Sequence, residues 1–466
     1  MKSRTLLALL AGPSACLAVW LSPTPLGLTP EGQAALAVML LCMMWWLLTP
    51  VALPVTSLVG LALLPTLGAL DTNTALALFG NQAVFFVIGV FLVAAVMFQT
   101  GLSSRLTLVG LRRFARNENV LCNSVMLISW GLCLVMVSHA VAAIMLPIVL
   151  ELIRAMDLGP RSRTARRLLL SMAWGTVAGS NLTLLSSARA SLALELYGQW
   201  REESGLAPDS IGFLAYSAGS IPVSLLSVLI AMLCLRFAFP PEGINIAPAL
   251  KSLDEKVAGL GPVSPREKWT LLVISTMIIT MIVTGPHWLG GVALLFSGLL
   301  FTLQILSWED AERYVNWGVA LMYGGAIAVG GALHQTGATD WLASTLIPDA
   351  MSAWVALALI GLITAALTEV ISNAAVIAVV LPIALPIALQ AGLAPHTLVW
   401  LVPLAAGFAF VLPTSTPAMA MVFGTGYLRT KDTLVGIGVT LASLIGLVLM
   451  ARFLWPLLGL DVAGAL

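Results

Sequence analysis

Three short strings, two of them polar, appear twice in the same order inside otherwise apolar stretches of this chain. Gln99-Thr100-Gly101, Ser138-His139-Ala140 and Leu146-Pro147-Ile148 are followed by Gln335-Thr336-Gly337, Ser372-Asn373-Ala374 and Leu381-Pro382-Ile383. The offsets are 236, 234 and 235 residues (335−99, 372−138, 381−146). A duplicated order at nearly constant offset means two structural repeats. In a chain dissolved in lipid, the working site is expected where such repeats meet.

That the solvent is lipid follows from composition. Of 466 residues, 59% are hydrophobic and only 9% charged, against the roughly 25% charge of a soluble domain. The apolar runs are long enough for helices and too long for barrel strands. The fold class is therefore an all-α polytopic membrane protein. The net charge of +1 does not itself indicate a partner, and no nucleic acid is expected. Cys16, Cys42, Cys122, Cys133 and Cys234 show no paired spacing and read as buried thiols. Lys2 and Arg4 precede an apolar run to Leu21, which is expected to stay as an uncleaved first helix.

The runs predict eleven spans near 5–21, 34–50, 55–70, 80–100, 168–192, 211–236, 269–285, 288–305, 316–334, 398–424 and 433–457. The stretches 119–153 and 351–391 carry the repeated tips near their middles. Arg105, Arg112, Arg113 and Arg116 precede the first stretch, and Arg154, Arg161, Arg163, Arg166 and Arg167 follow it. A single crossing would strand one cluster outside, so the stretch reads as a re-entrant hairpin with both clusters in the cytoplasm. By repeat symmetry 351–391 is the outer hairpin, with Asp340, Asp349 and His396 facing outside. The N-terminus is then cytoplasmic and the C-terminus outside, with only Arg189, Arg201 and Arg452 away from the cytoplasmic side. Five spans separate Gly101 from Gly337, so the repeats are inverted.

The expected organisation is a first repeat over 1–236, a Pro- and charge-bearing cytoplasmic linker over 237–268, and a second repeat over 269–466. The first repeat holds the inner hairpin and the broken helix 168–192, and the second holds the outer hairpin and the broken helix 398–424. Ser103–Arg116 reads as an amphipathic interfacial helix. His287, His334 and His396 sit at span ends and read as interfacial.

A hairpin tip inside a membrane leaves backbone groups without helix partners, which is tolerated only where the tip lines a cavity. Free N–H groups at half-helix N-termini attract anions. Ser, Thr and Asn oxygens and freed carbonyls suit a small cation. Each half adds a second polar break, Gly179-Ser-Asn-Leu-Thr-Leu-Leu-Ser-Ser-Ala-Arg189 and Leu412-Pro-Thr-Ser-Thr-Pro417. The four breaks are expected to surround one pocket. No nucleophile–base pair, HExxH or His/Cys cluster is present in the sequence, so an enzyme is not expected.

Leu367-Thr-Glu-Val-Ile-Ser-Asn-Ala-Ala375 with Leu381-Pro-Ile, and Phe410-Val-Leu-Pro-Thr-Ser-Thr-Pro417 with Val422-Phe-Gly-Thr-Gly426, resemble the paired motifs of the divalent-anion/sodium symporter family. Trp317-Gly-Val and the Gly324–Gly337 run are similar to it as well. The resemblance implies a homodimeric elevator-type carrier in a bacterial-type cytoplasmic membrane. Its cargo would be a small divalent anion (a dicarboxylate or sulfate), moved with sodium or by exchange. It also implies substrate contacts from Ser138, His139, Ala140, Ser187, Arg189, Asn373, Ala374, Thr416 and Pro417. A second sodium site falls on Thr368, Ser372, Asn373, Thr414 and Ser415, and a first on Ser138, His139 and Ser186. Glu369 is expected to be structural, accepting backbone N–H bonds within the outer hairpin.

The departures lie mostly in the first half. His139 stands where the family has Asn, Ala140 and Ala374 where it has Thr, and Leu134 where a polar ligand is expected. Ser186-Ser187-Ala188-Arg189 replaces a Pro-Pro-Asn loop. The first sodium site is therefore eroded, and His139 suits proton coupling, anion contact or plain exchange. Arg189 either clamps an oxyanion, snorkels to an interface or pairs with Glu195. An arsenite-type or other inorganic-anion permease is the alternative, and an intramembrane enzyme a distant one.

Overall fold

The computed structural model describes residues 3–206, 211–346 and 352–460, which form helices and turns with no strand among them. Lys2, Asp349, residue 351 and the His287 side chain lie outside the described residues.

Helices of the first half recur in order in the second. Pro30–Leu48, Leu53–Thr66 and Gln82–Gln99 are followed by Pro265–Thr284, Leu289–Thr302 and Trp317–Gln335. The expected hairpin stretches are each two helices around a short turn, Glu118–Leu132 with Ser138–Ala155, and Ala353–Thr368 with Asn373–Gln390. The expected broken helices are Arg163–Gly179 with Arg189–Glu203, and Thr397–Ala406 with Pro417–Gly424. Phe213–Ala238 and Gly436–Phe453 close each half. Ser3–Trp20 is additional and is pinned by Trp45, whose Nε1 donates to Leu9 O at 3.0 Å.

Eight helices among the described residues are long and apolar enough to cross a membrane. Leu53–Thr66 and Leu289–Thr302, at 14 residues each, reach only about 21 Å, short of a hydrocarbon core of about 30 Å. Each ends in a turn and a short capped helix, Thr72–Phe79 or Trp308–Tyr314. Asp71 and Ser307 accept N–H groups at those helix starts, a cap that the hydropathy pattern does not reveal.

The two halves interlock through small residues. A Cβ on Gly89 would stand 2.6 Å from Ala293 Cβ, and one on Gly325 would stand 2.5 Å from Ser57 Cβ. Helix Gln82–Gln99 thus lies backbone to backbone on Leu289–Thr302, and Trp317–Gln335 does the same on Leu53–Thr66. In lipid, where burial of apolar surface drives little, such close approach is a principal source of helix association. The repeated Gly101 and Gly337 both adopt left-handed backbone, φ +77° and +73°, and turn the chain into the amphipathic Leu102–Phe114 and into Ala338–Leu346.

The linker between the halves is more ordered than a Pro-bearing loop implies. It contains helix Ala247–Gly259 and is fastened at both ends. At one end the Glu118 carboxylate accepts the backbone N–H groups of Glu242, Gly243 and Ile244 at 2.8–3.2 Å. Glu242 in turn accepts from Ser162 Oγ at 2.6 Å and from Thr164 N at 3.0 Å. Burial pushes the Glu242 carboxyl up, but the hydrogen bonds from Ser162, Thr164 and Arg163 outweigh it and hold it down at about 2. At the other end Arg105 bridges Glu267 at 2.6 Å and donates to Leu260, Gly261 and Pro262 carbonyls. Lys256 pairs with Glu151 of the first hairpin at 2.8 Å, and Arg112 pairs with Asp254.

Candidate functional site

Both hairpin turns and both helix breaks meet on one cavity of about 570 Å³. Its wall includes Ser138 and His139 from the first turn and Ser186, Ser187 and Arg189 from the first break. Ser372, Asn373 and Ala374 of the second turn and Thr414, Ser415, Thr416 and Pro417 of the second break complete it. Four helices, Ser138–Ala155, Arg189–Glu203, Asn373–Gln390 and Pro417–Gly424, therefore start at this cavity and turn their positive N-terminal ends toward it. Thr49, Leu53, Val319, Met322 and Tyr323 close the wall from the neighbouring helices. Of the residues expected to contact substrate, Ala140 is outside this wall and packs partly buried against the core. Thr368 lies behind the wall.

The two breaks are tied by the same knot. Ser186 Oγ lies 2.6 Å from Thr183 O and 3.0 Å from Ser180 O, three and six residues back. Ser415 Oγ lies 2.7 Å from Leu412 O and 3.2 Å from Ala409 O, again three and six residues back. Each hydroxyl bridges a carbonyl at the end of the interrupted helix and one within the turn that follows it. Beyond the knot, Ser187 Oγ accepts Arg189 N at 3.4 Å, and Thr416 Oγ1 caps Met419 N at 3.2 Å.

Arg189 is 3% exposed, so it does not snorkel. Its Nε donates to Pro403 O at 2.9 Å, and its Nη2 reaches Ser180 O at 3.0 Å, Ser180 Oγ at 2.8 Å and Asn181 Oδ1. No carboxylate lies within ion-pair distance of it among the described residues, and Nη1 makes none of these bonds. Glu195 is hydrogen-bonded to Gln199 instead, at 3.4 Å. A bidentate clamp through Nε and Nη2 is therefore closed off, and Nη1 is the nitrogen left for an anion. Asn181 also donates to Leu404 O at 3.2 Å, fastening the first break to helix Thr397–Ala406. Gly407 makes room for this meeting, because a Cβ there would collide with Asn181 Oδ1 and Arg189 Nη2. Asn181 sits within the polar string of the sequence, but its pairing with Arg189 and the need for Gly407 have no local signal.

His139 lies half-buried against Phe91, ring centroids 5.4 Å apart, with no hydrogen-bond partner among the described residues. The nearby Ser138 N donates to Ser186 O at 3.1 Å, joining turn and break within the first half.

The second half presents oxygens. Thr368 Oγ1 lies 2.8 Å from both Asn373 Oδ1 and Ala406 O. With Ser372 and Thr414 nearby in the wall, this donor set fits a small hard cation. No cluster of three or more His, Cys, Asp or Glu occurs among the described residues, so a softer transition metal has no such cluster to bind there. In the first half, Leu134 stands where Thr368 has its mate and offers only its carbonyl, which Thr183 Oγ1 approaches at 3.3 Å. Glu369 accepts N–H bonds from Val411 at 3.0 Å and Leu412 at 2.8 Å. It is structural as expected, but it holds the adjacent break rather than its own hairpin.

Comparison with known proteins agrees with these features. The profile of the sodium:sulfate symporter transmembrane region matches residues 3–460. The sodium-dependent dicarboxylate transporter SdcS of Staphylococcus saprophyticus is 27% identical over 98% of this chain and 93% of its own length. SdcS of Staphylococcus aureus is likewise 27% identical, over 98% and 92%. Among solved structures, Neisseria gonorrhoeae MtrF, described with a class of antimetabolite efflux pumps, superposes with a TM-score of 0.59 at 14% identity. It covers 99% of this chain and 95% of its own. The Alcanivorax borkumensis YdaH transporter gives 0.52 at 15% identity over 80% and 86%. At such identities the two structures speak for the fold alone.

Proposed function

The chain belongs to the sodium:sulfate symporter family, and on that premise we propose that it carries a small dianion, a dicarboxylate or sulfate, through the cavity between its two turns and two breaks. It is a multi-pass secondary transporter and not an enzyme. The observation that carries the anion is Arg189, a buried cation on the cavity wall with no carboxylate partner among the described residues. Burying an uncompensated charge costs several kcal/mol, which an anionic cargo offsets. A neutral metalloid hydroxide would not, and this weighs against the arsenite-type reading. The N-termini of four helices add neutral donors.

Cation coupling is assigned to Thr368, Ser372, Asn373, Thr414 and Ser415 in the second half. Ser138, His139 and Ser186 are the eroded counterpart, at which a proton can replace a metal ion. The hairpins are read as re-entrant and the repeats as inverted, with the N-terminus cytoplasmic. A second cavity of about 670 Å³ supports alternating access. It is lined by Leu289 and Ser191, the repeat mates of Leu53 and Ala420 in the wall of the first. An elevator movement of a homodimer, in which hairpins and broken helices slide together against the remaining helices, would expose the site through each in turn.

Uptake of radiolabelled succinate and sulfate into proteoliposomes tests the proposal. Saturable uptake of one of them, accelerated by a sodium gradient or by internal substrate, is the expected result. Uptake no faster than in empty vesicles with either anion overturns it.

A further inference from the structure

On the transport reading above, we infer that the Tyr323 hydroxyl is a ligand for the anionic cargo, donating a hydrogen bond to it from a helix that carries neither turn nor break. Tyr323 is 2% exposed and lines the first cavity together with Arg189. The two side chains lie within electrostatic reach of each other. The phenol makes no hydrogen bond among the described residues, and its oxygen is not sealed inside the protein. A buried tyrosine hydroxyl ordinarily has a partner, as Tyr427 has in Leu158 O at 3.3 Å. What Tyr323 has in place of a partner is the cavity.

The helix Trp317–Gln335 is held so that this side chain faces one way. Ser57 Oγ donates to Met322 O at 3.2 Å. A Cβ on Gly324 would stand 2.6 Å from the Phe79 ring, and Gly325 is pressed on Ser57. Positions 322, 324 and 325 are thus fixed against Leu53–Thr66 and Thr72–Phe79. Val319 and Tyr323, one helical turn apart, share the side turned to the cavity. A donor on so firmly packed a helix is preorganised for its acceptor.

Packing alone does not call for the hydroxyl. The offset of 236 residues that relates Met322 to Phe86 and Val319 to Ala83 makes Val87 the repeat mate of Tyr323 (322−86, 319−83, 323−87). Ala83 and Phe86 line the second cavity, whereas Val87 is fully buried and outside its wall. The fold therefore fills this position with an apolar side chain in one half and with a phenol facing the site in the other. A phenol O–H donates to a carboxylate or sulfate oxygen and brings no charge of its own, which complements the fixed charge of Arg189.

Tyr323→Phe removes the hydroxyl and keeps the ring. Thermal unfolding of the purified protein in sodium is followed while succinate or sulfate is titrated. The wild type is expected to show a saturable rise in Tm with one of the two anions. Without anion, Tyr323→Phe is expected to match the wild-type Tm, because the phenol holds no protein group. It is expected to need about tenfold more anion for the half-maximal rise, as befits the loss of one hydrogen bond to a charged partner. In proteoliposomes its KM for the anion is expected to rise by a similar factor, while the sodium concentration for half-maximal uptake at saturating anion stays in place. A wild-type anion midpoint in Tyr323→Phe, whether or not its Tm without anion has fallen, overturns the ligand role alone. A wild type indifferent to both anions, in Tm and in uptake, overturns the dianion reading and the ligand role with it.

Discussion

Gly407 lies directly under the Arg189 guanidinium, so close that even a methyl group built on it collides with Arg189 Nη2 and with the Asn181 Oδ1 it binds. The first break and the second broken helix can meet only because position 407 has no side chain. Both colliding atoms are held by further bonds, to Ser180 and through Asn181 Nδ2 to Leu404, so neither gives way freely. Gly407→Ala is expected to fold and to lose at least about tenfold in anion uptake, equivalent to about 1.4 kcal/mol. Initial rates in proteoliposomes, normalised to inserted protein, measure it; wild-type rates would show that Arg189 can shift without consequence.

Thr368 Oγ1 touches two oxygens at 2.8 Å, and valine matches its shape without the hydroxyl. Thr368→Val is expected to raise the sodium concentration for half-maximal uptake by about tenfold or more, since an oxygen ligand is lost and Ala406 O loses a donor worth about 1–3 kcal/mol when buried. A sodium titration at saturating anion reads the shift. An unchanged midpoint would move the cation elsewhere.

His139 replaced by Asn gives the first turn the residue that the second turn carries at 373. Histidine is the side chain suited to taking up and releasing a proton in a transport cycle. His139→Asn is therefore expected to flatten the pH dependence of uptake while sodium dependence strengthens. Rates at several pH values under clamped sodium decide the matter, and an unaltered profile excludes His139 as the proton site.

Glu242 ties the linker to Ser162 and Thr164, and its carboxyl titrates at about 2 rather than the ordinary 4.5. A folded value below the unfolded one means stabilisation present in full above pH 4.5 and lost as the pH falls toward 2. The wild-type Tm in detergent is expected to decline through this window, with Glu242→Gln lower at neutral pH and flatter on acidification. Parallel curves for the two proteins would remove Glu242 from the acid response.

The doubled tips Ser138-His139-Ala140 and Ser372-Asn373-Ala374 were legible because membrane helices are so uniformly apolar that a polar triplet inside one stands out. The same contrast exposed the Gly179–Arg189 and Leu412–Pro417 breaks, and with them most of the cavity wall. What escaped is whatever depends on backbone meeting backbone. Gly407 is one glycine in an apolar run, and its use is set by Arg189 more than two hundred residues away. The Glu369 carboxylate was legible as a buried acceptor, but which N–H groups it serves depends on how the second break folds against the turn. The ordered linker hid for a different reason, since Glu118 binds main-chain N–H groups at 242–244, for which side-chain chemistry is no guide.

The two serine knots have a consequence for how such a carrier can change over time. Ser186 and Ser415 each bridge two carbonyls of their own break from within, so the two breaks share one fastening although the three residues that follow differ. Those residues are Ser187-Ala188-Arg189 on one side and Thr416-Pro417-Ala418 on the other, and they bring a guanidinium to one wall of the cavity and none to the opposite wall. A lineage can rewrite what the pocket accepts one half at a time, by point changes beside a knot that both halves keep.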